Sequence, residues 1–438
     1  MGKIDKPGRT LYHNARLLDP ATGLDIKGAL LTDGEVIADI GPRLCSNGVP
    51  PDTDVVDCEG LCLSPGLIDI HVWVREPGAE HQETMATAGR AAAAGGITTI
   101  IAMPNTDPVI DQVALVDFVL RCARETSSVR ILPMAAATKG LRGAEMTEFG
   151  LLSEAGAVAF TDGDKAISNA QVMRRALSYA TTFDALIVQC CEEPDLSRDG
   201  VMNEGEIALR LGLAGVSPMA ETIMVERDLR LVELTGGRWH AAHLSTASAL
   251  AALRDGKDRR LNVTGGVAPH SFALNETSIG EYRTFAKTRP VLRSETDRQS
   301  VVAAIADGTI DVISSAHCPQ DPESKRLPFA QAAFGIIGLE TLLPLALELV
   351  HNGQVPLLKL LATMTCNPAK LLRLDSGRLA KGAPADLIVF DPDAPWVIDE
   401  KKMRSKSKNT PFDRRPVQGH VRRTIVAGRS VFERRRET

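Results

Sequence analysis

The sequence lacks the features of several protein classes: an excess of positive charge, a long apolar run and a regular spacing of cysteines. The net charge of −5 over 438 residues argues against a nucleic-acid-binding surface. No apolar run reaches the ~20 residues that a membrane-spanning helix needs, and the charged stretch 1–6 lacks the apolar core of a secretion signal. The eight cysteines are scattered, mostly in apolar strand-like segments, which favours a reducing cytoplasm over a disulfide framework.

What the sequence does contain is enough apolar residues for a large core. Hydrophobic residues make up 44% of the chain and charged residues 24%, so we expect a globular fold rather than disorder. The chain is long for one ordinary domain, but its length suits a barrel with a smaller attached domain.

Both ends of the chain have the pattern of short strands joined by turns. In the N-terminal segment, residues 1–64, the candidate strands are 10–18, 29–33, 36–40 and 53–58. In the C-terminal segment, residues 376–438, the candidate strands are 385–391 and 422–431. We expect the two ends to pack together as one small β-sandwich. The basic run 401–408 is interpreted as a solvated loop, with a patch for a partner as the alternative.

The middle of the chain, residues 65–375, repeats an order of apolar strand, polar loop and longer helical segment. The candidate strands are 67–72, 98–103, 130–135, 158–161, 186–190, 239–243, 262–267 and 311–315. Strands that alternate with helices in this way predict an α/β fold of the (β/α)8 barrel type. The first helix, 84–94, is rich in alanine and ends at Gly95-Gly96, which is typical of a helix C-cap.

The end of the first barrel strand, His71-Val72-Trp73, has one histidine where a metal site would need two. Two histidines at positions i and i+2 of a strand point to the same side and can bind one metal ion. Indole has no lone pair in its plane, so Trp73 cannot replace imidazole as a ligand. The sequence therefore raises the question whether the chain is a metalloenzyme or has lost that chemistry.

Several phrases of the sequence resemble one family, the long-type dihydroorotases of the amidohydrolase superfamily. These phrases are 65–78, 94–106, 201–206, 240–246, 338–341 and 408–412. The resemblance implies a (β/α)8 barrel with a composite β-sandwich of both termini and zinc at the carboxyl ends of the barrel strands. It also implies that a metal-bound hydroxide attacks the cyclic amide of dihydroorotate, while an aspartate after the last strand transfers the proton.

Three positions to which the resemblance assigns metal ligands hold other residues in this chain. Trp73 and Cys190 stand where the family has histidine, and Ala316 stands where it has aspartate. That aspartate would be both a metal ligand and the proton shuttle, and alanine can be neither. Loss of a general acid–base group typically costs ~10²–10⁴ in rate. We therefore expect no two-metal site.

The residual candidate ligands could hold at most one zinc ion. They are His71, His243, Asp162 and Cys190. Three of them have an alternative role: His71 as a hydrogen-bonded barrel histidine, Asp162 (or Asp164 beside it) as a loop carboxylate that caps a turn, and Cys190 as a small apolar filler. Lys165, as a carboxylated bridge, is a further alternative, and His240 is expected to be structural because it points away from His243.

The positions with which the family holds its substrate are better preserved. Arg75, Asn105 and Asn275 match them, and the planar guanidinium of arginine suits a carboxylate. The alternative is that these side chains are retained hydrogen bonds of the scaffold.

The sequence thus predicts a dihydroorotase-like protein of pyrimidine biosynthesis with an incomplete metal site. The altered ligand positions predict that this homologue is catalytically silent. The resemblance permits a role as a structural partner of aspartate carbamoyltransferase, in an assembly built on a homo-oligomer. The alternative is an active zinc cyclic amidohydrolase that hydrolyses or closes the dihydroorotate ring at one unusual metal site. A third hypothesis is a sensor that binds a ureide or carbamoyl compound through Arg75 and Asn105 without turnover.

Overall fold

The computed structural model describes residues 7–44 and 48–434; the charged stretch 1–6, Cys45 and the C-terminal residues 435–438 lie outside the described residues. Within these ranges the strands are β1 (Arg9–Asp19), β2 (Leu24–Asp33), β3 (Val36–Gly41), β4 (Thr53–Asp57), β5 (Cys62–Pro65), β6 (Leu67–Val72), β7 (Ile97–Ala102), β8 (Arg130–Pro133), β9 (Ala135–Ala136), β10 (Phe160–Thr161), β11 (Leu186–Gln189), β12 (Met202–Asn203), β13 (Gly215–Val216), β14 (Arg238–Ala241), β15 (Val263–Val267), β16 (Val312–Ile313), β17 (Leu387–Val397), β18 (Pro416–Val426) and β19 (Arg429–Glu433).

The helices surround the strands of the middle segment. They are α1 (Met85–Ala94), α2 (Val113–Thr126), α3 (Phe149–Ala155), α4 (Ala170–Phe183), α5 (Pro194–Ser197), α6 (Glu206–Leu211), α7 (Pro218–Thr235), α8 (Ala247–Asp258), α9 (Pro269–Ala273), α10 (Glu295–Asp307), α11 (Pro322–Lys325), α12 (Leu342–His351), α13 (Leu357–Ala362) and α14 (Cys366–Leu372). Short 3₁₀ turns occupy Lys139–Leu141, Glu276–Ile279, Thr284–Ala286 and Glu400–Lys402. No helix of the described ranges is long and apolar enough to cross a membrane.

The two ends of the chain form one mixed sheet. Its strand order is β19-β18-β17-β5-β1-β2-β3, and β4 pairs with β1. The junction between the ends is β5, which lies antiparallel to β17 and parallel to β1. Buried side chains from both ends, including Tyr12, Leu30, Leu63, Leu387 and Ile425, share one apolar cluster inside this sheet. The predicted sandwich of both termini is therefore confirmed.

The middle segment forms a closed parallel barrel. One run of strands is β6-β7-β8 and the other is β16-β15-β14-β11-β10-β9. The strands β8 and β9 follow one another along the barrel and are separated only by Met134, whose N–H donates to Ala102 O at 2.9 Å. The barrel closes where Trp73 N–H donates to His317 O at 2.9 Å, beside a parallel bridge between Val72 and His317. The predicted (β/α)8 barrel is confirmed.

The alanine-rich helix α1 packs between the barrel and the terminal sheet. Thr84 caps its first turn by accepting from Thr87 N–H, and Gly95 ends it, as the sequence predicted. Small side chains allow a close approach, so Thr424 Oγ1 of β18 donates to Ala93 O at 2.6 Å. Apolar residues of the sheet, such as Ile388 and Phe390, belong to the same buried cluster as the barrel core. Barrel and sheet therefore share one core.

The basic run 401–408 is not simply a solvated loop. Ser405 and Ser407 are buried, whereas Arg404 and Lys406, which alternate with them along the chain, are exposed. Lys406 N–H donates to the buried carboxylate of Glu83, and Ser407 Oγ donates to Gln82 O at 2.8 Å. The segment is thus a packed strap that ties the C-terminal part of the chain to the loop before α1, and the interpretation as a loop free in solvent is corrected. The alternating pattern puts serine inward and charge outward.

Candidate functional site

The first residues of the site lie at the carboxyl end of β6, a strand that is buried at every position. His71 and Trp73 alternate around Val72 and project to the same side. The indole stands edge-on to the imidazole, with ring centroids 4.7 Å apart and an interplanar angle of 72°. The indole thus packs against His71 at the place where the resemblance implies a second imidazole.

His243, just beyond β14, packs against His71 from the other side. Their ring centroids are 4.1 Å apart, and the Nε2 atom of His243 is 2.8 Å from Ser314 Oγ. Burial lowers the pKa of His71 to about 3, and burial followed by the neighbouring histidines lowers the pKa of His243 well below 6.5. Both rings are therefore neutral at pH 7, and one nitrogen of His243 is already hydrogen-bonded to a serine.

Cys190 follows β11 directly and borders the same small space as His71 and His243. This space measures about 30 Å³. Burial raises the pKa of the Cys190 thiol well above its ordinary value, and the nearby Glu192 raises it further. The thiolate is the metal-binding form of cysteine. Cys190 was predicted to be either a metal ligand or a small apolar filler, and a thiol that stays protonated has the properties of the filler.

Asp162, after β10, is engaged by the backbone of a neighbouring loop. Its carboxylate accepts from Thr138 N–H at 2.8 Å and from Thr138 Oγ1 at 2.5 Å. Burial raises its pKa, whereas these hydrogen bonds lower it. The exposed Asp164 instead accepts from Asn105 Nδ2 at 2.7 Å, and Lys165 lies at the surface. The contacts of Asp162 match the capping role and not the ligand role.

At the end of β16, Ala316 borders the larger cavity of the site with a left-handed backbone angle, φ 52°. The next residue, His317, is fully buried, and its Nδ1 accepts from Gly338 N–H at 3.2 Å. The proton therefore resides on Nε2, which lies 3.4 Å from Glu83 Oε2. His317 holds the loop in place, and no carboxylate stands at position 316. His240 likewise bonds within the barrel, with Nδ1 2.8 Å from Thr264 Oγ1.

The residues of this site do not fit the zinc that the family would place there. Throughout residues 7–44 and 48–434, no group of three or more histidine, cysteine, aspartate or glutamate side chains is positioned to hold a metal ion. A catalytic zinc needs three protein ligands on one ion. Three candidate ligands, His71, His243 and Cys190, line one small space, but Trp73 also fills part of its wall. The Nε2 atom of His243 is already hydrogen-bonded to Ser314 Oγ.

The larger cavity at this end of the barrel measures about 340 Å³ and contains two of the predicted substrate residues, Arg75 and Asn105. Arg75 donates from Nη2 to Cys318 Sγ at 3.2 Å and from Nε to Pro319 O at 3.3 Å. Asn105 packs against Gly163, where an added Cβ would lie 1.8 Å from Asn105 Oδ1. Only glycine at position 163 leaves room for the amide.

Asn275, the third predicted substrate residue, is not among the residues that line this cavity. Its Oδ1 accepts from Thr277 N–H at 3.0 Å and so caps a 3₁₀ turn. Its Nδ2 donates to Glu295 Oε2 at 2.7 Å. The prediction that Asn275 faces the substrate is therefore corrected: both ends of its amide stabilise the loop before α10.

The cavity also contains residues that sequence reasoning missed, namely His270, Arg289 and Phe334. The Cζ atom of Arg289 lies 4.8 Å from the centre of the Phe334 ring, and its Nη2 lies 3.3 Å from Glu192 Oε1. The run Lys287-Thr288-Arg289, with two cations in three residues, was the available signal. Nothing in the sequence placed it beside Trp73, because more than two hundred residues separate them in the chain.

A closed (β/α)8 barrel with a composite terminal sheet and a polar cavity at the carboxyl ends of its strands defines an amidohydrolase-type protein. Comparison of folds agrees: L-hydantoinase from Arthrobacter aurescens is similar with a TM-score of 0.86 at 23% identity, covering 97% of this chain and 96% of that one. Dihydropyrimidinase from Brevibacillus agri NCHU1002 is similar with a TM-score of 0.84 at 21% identity, covering 97% and 95%.

Sequence comparisons narrow this class to one family. The Dihydro-orotase-like family model matches residues 60–249 and the Amidohydrolase family model matches residues 234–431. A dihydroorotase from Ehrlichia chaffeensis is 45% identical over 424 residues, 96% of this chain and 94% of that protein. A dihydroorotase from Syntrophus aciditrophicus is 43% identical over 425 residues, 97% of this chain and 99% of that protein. This chain belongs to the dihydroorotase family.

Proposed function

We propose that this chain is a dihydroorotase homologue that does not turn over dihydroorotate and acts as a structural partner of aspartate carbamoyltransferase. One observation carries the first part: beyond the carboxyl ends of β6, β11 and β16, Trp73 lines one cavity with Ala316 and another with Cys190. These positions provide an indole, a protonated thiol and a methyl group where the family chemistry needs two imidazoles and a carboxylate.

The groups that remain cannot supply the missing chemistry. Metal coordination lowers the pKa of water from 15.7 to ≈ 7, and only then is hydroxide available at neutral pH. His71 and His243 are neutral but face each other across one small space, and Asp162 is held by Thr138. The neighbouring His317 does not replace the proton shuttle missing at Ala316, because its Nδ1 accepts from the backbone N–H of Gly338.

The partner role is supported by what the chain has kept. Its fold is complete, and helix α7 presents Met219 and Ile223 one turn apart, each 45% exposed. Apolar side chains on one exposed helix face are suited to an interface with a second protein. A homo-oligomer in a reducing cytoplasm is part of the proposal, and the seven described cysteines are unpaired.

The first test is dihydroorotate turnover in both directions by the purified protein supplied with zinc. We expect no rate above a metal-free control and zinc well below one ion per chain. Turnover that rises with zinc and is lost in Cys190→Ala would overturn the proposal. It would indicate instead a single-metal mechanism through His71, His243 and Cys190.

The second test concerns the partner. Co-expressed with aspartate carbamoyltransferase, the chain should elute in one complex at micromolar concentration. Ile223→Glu should weaken that complex, whereas Arg174→Glu on the exposed face of α4 is the matched control. Separate elution of the two wild-type proteins would refute the partner role and leave the statement about turnover untouched.

A further inference from the structure

The strap 401–408 concentrates positive charge on one piece of surface. Five of its eight residues are lysine or arginine and none is acidic, although the whole chain has a net charge of −5. Buried and exposed side chains alternate along it: Met403, Ser405 and Ser407 are buried, whereas Lys402, Arg404 and Lys406 are exposed. The three exposed residues are called the cationic row below.

The backbone that carries the cationic row is held in place by the rest of the chain. Lys406 N–H donates to the buried carboxylate of Glu83 at 3.1 Å. Within the strap, Lys408 Nζ donates to Ser405 O at 2.7 Å. Because these contacts already order the row, a partner that binds to it does not have to meet the entropic cost of ordering a flexible segment.

The charges of the cationic row are only partly balanced within the chain. Arg404 Nη1 lies 3.5 Å from Glu340 Oε2. Lys406 Nζ donates to the backbone oxygen of Glu80 at 2.6 Å, while the carboxylate of Glu80 accepts from a backbone N–H at 2.9 Å. The ammonium group of Lys402 has no ion-pair partner within residues 7–44 and 48–434. Two of the three cations can therefore pair with charges from outside.

A groove beside the cationic row offers apolar contacts. It measures about 820 Å³, and its lining includes Lys402 and Arg404 of the row together with Trp396 and Val397 of β17. The indole of Trp396 stacks on the ring of His420, with centroids 5.2 Å apart and an interplanar angle of 21°. Val397 is 57% exposed. An indole and an exposed valine next to unpaired cations suit a partner that carries both an apolar side chain and negative charge.

The acidic side chains of the groove do not cancel this positive charge. Four acids line the groove, and three of them are engaged within the chain. Glu340 is paired with Arg404, while Asp391 and Asp399 accept from backbone N–H groups at 3.1 and 3.0 Å. Arg422, which also lines the groove, forms no ion pair within the part of the chain that the structure describes. The charge left for a partner is therefore positive.

The form of this surface favours a protein segment over a nucleic acid or an anionic membrane. A net charge of −5 opposes the approach of an extended polyanion to the rest of the molecule. Cations at alternate positions match the side chains of an extended chain, of which every second one points to the same side. The apolar contact in the groove is of use to a side chain but not to a phosphate backbone.

We propose that the cationic row and the groove beside it form a docking surface for an extended acidic segment of a partner protein. Carboxylates at alternate positions of that segment pair with Lys402 and Lys406, and an apolar side chain of the same segment packs against Trp396 and Val397. This inference goes beyond the proposed function, because it involves neither the barrel cavities nor the exposed face of α7.

The test is fluorescence anisotropy of a labelled peptide titrated with the full chain. In the probe, glutamate alternates with serine and one leucine stands at the end. The control peptide has the same composition, but its glutamates are contiguous. We expect the probe to bind more tightly than the control, and its affinity to fall as salt is added, because exposed ion pairs are screened.

Substitutions assign the binding to this surface. Lys402→Gln combined with Lys406→Gln should weaken the probe about 3- to 10-fold, because exposed ion pairs are individually modest. Lys402→Gln alone should give part of this effect, and it gives a result even where the double variant is unstable. Arg174→Gln combined with Arg175→Gln, on the exposed face of α4, changes the net charge equally and should leave the affinity as it is. Val397→Ser should weaken the probe but not a peptide without the leucine.

Glu83→Ala keeps every cation of the row but releases the backbone that orders it, so the affinity should fall in this variant too. Equal affinity of the wild type and the double lysine variant would overturn the docking surface. Tighter binding of single-stranded RNA or of phosphatidylserine vesicles, lost in the same double variant, would overturn the assignment to a protein segment. Neither result bears on dihydroorotate turnover or on the complex with aspartate carbamoyltransferase.

Discussion

At the scale of single residues, the proposed loss of the metal site is a change of packing as well as of chemistry. The rings of Trp73, His71 and His243 contact one another in sequence, with centroid distances of 4.7 and 4.1 Å. The bond between His243 and Ser314 fixes the last ring. A substitution that restores a metal ligand at one position therefore leaves the other side chains packed against one another and hydrogen-bonded as before.

Trp73→His alone should not restore dihydroorotate turnover, because Ala316 still provides no group to carry the proton. Trp73→His combined with Cys190→His and Ala316→Asp is the informative comparison. Aspartate tolerates the left-handed backbone at position 316 better than most residues. Zinc content and turnover are measured on the single and triple variants. Turnover in the single variant equal to that of the triple one would show that the shuttle is dispensable.

Asp162→Ala should lower the free energy of unfolding by about 1–3 kcal/mol, since it leaves the N–H and hydroxyl of Thr138 without their buried acceptor. Asp164→Ala, two residues away and exposed, should change it by less than roughly 0.5 kcal/mol. Urea unfolding of both variants, together with zinc content after dialysis against zinc, gives the answer. A fall in bound zinc without a fall in stability would return Asp162 to the role of ligand.

At the scale of strands and helices, the sequence predicted positions better than ends. The apolar runs placed every barrel strand within a few residues, and 67–72 matches β6. Cys190, His243 and Ser315 were assigned to strands but lie just beyond them. Strand ends depend on where the partner strand stops pairing, which a single sequence does not contain. Ser315 N–H, for instance, donates to the side chain of Asp69 on the neighbouring strand β6 rather than to a backbone carbonyl.

The candidate site was predictable to a different degree at each position. Arg75 and Asn105 were placed correctly in the cavity because their strands and loops were in register. Asn275 was misplaced because local chemistry decides its direction: an asparagine before a 3₁₀ turn caps it. The packed strap was missed because the buried acceptor that holds it, Glu83, lies more than three hundred residues away in the chain.

The strap depends on one buried carboxylate. Glu83 accepts from Ser405 Oγ and from Lys406 N–H, and it lies 3.4 Å from His317 Nε2. Burial raises the pKa of Glu83, but the contacts with His317, Ser405 and Thr87 together lower it by more. The net shift of the pKa is therefore downward. The carboxylate thus stabilises the folded chain above pH 4.5, and this contribution is lost as the pH falls through the lowered pKa.

Glu83→Ala should release the strap and speed its cleavage by trypsin, because the backbone around its exposed basic residues is no longer held in place. The lysines and arginine of 401–408 are the cleavage sites, and mass spectrometry of the early fragments locates the cuts. Glu80→Ala is the matched control, because Glu80 contacts the strap only through its backbone oxygen, which Lys406 Nζ reaches at 2.6 Å. Equal cleavage rates in wild type and Glu83→Ala would show that other contacts hold the strap.

At the scale of the whole molecule, the barrel buries several titratable groups. Four buried histidines have lowered pKa values because burial disfavours their charged form: His71 (about 3), His240 (about 3), His270 (about 4) and His243. Two buried aspartates, Asp69 and Asp228, have pKa values raised by burial to about 6. Because barrel and terminal sheet share one core, unfolding of that core exposes these groups to solvent.

The balance of these groups predicts that the folded chain loses stability on acidification from pH 7 to pH 5. Between pH 6.5 and about 4, the unfolded chain protonates the four histidines whereas the folded chain does not. The two aspartates oppose this, because the folded chain protonates them first. The histidines outnumber the aspartates, so the unfolded chain binds more protons than the folded chain near pH 5, and each net proton lowers the free energy of unfolding by about 1.4 kcal/mol per pH unit.

Urea unfolding at a series of pH values measures this slope directly. His270→Asn should reduce it by up to one proton, because it removes one buried neutral imidazole. His81→Asn, whose side chain is 66% exposed, is the matched control and should leave the slope as it is. A free energy of unfolding that stays level between pH 7 and pH 5 would mean that the buried imidazoles become protonated in the folded chain. Burial would then not keep the rings beside Trp73 neutral.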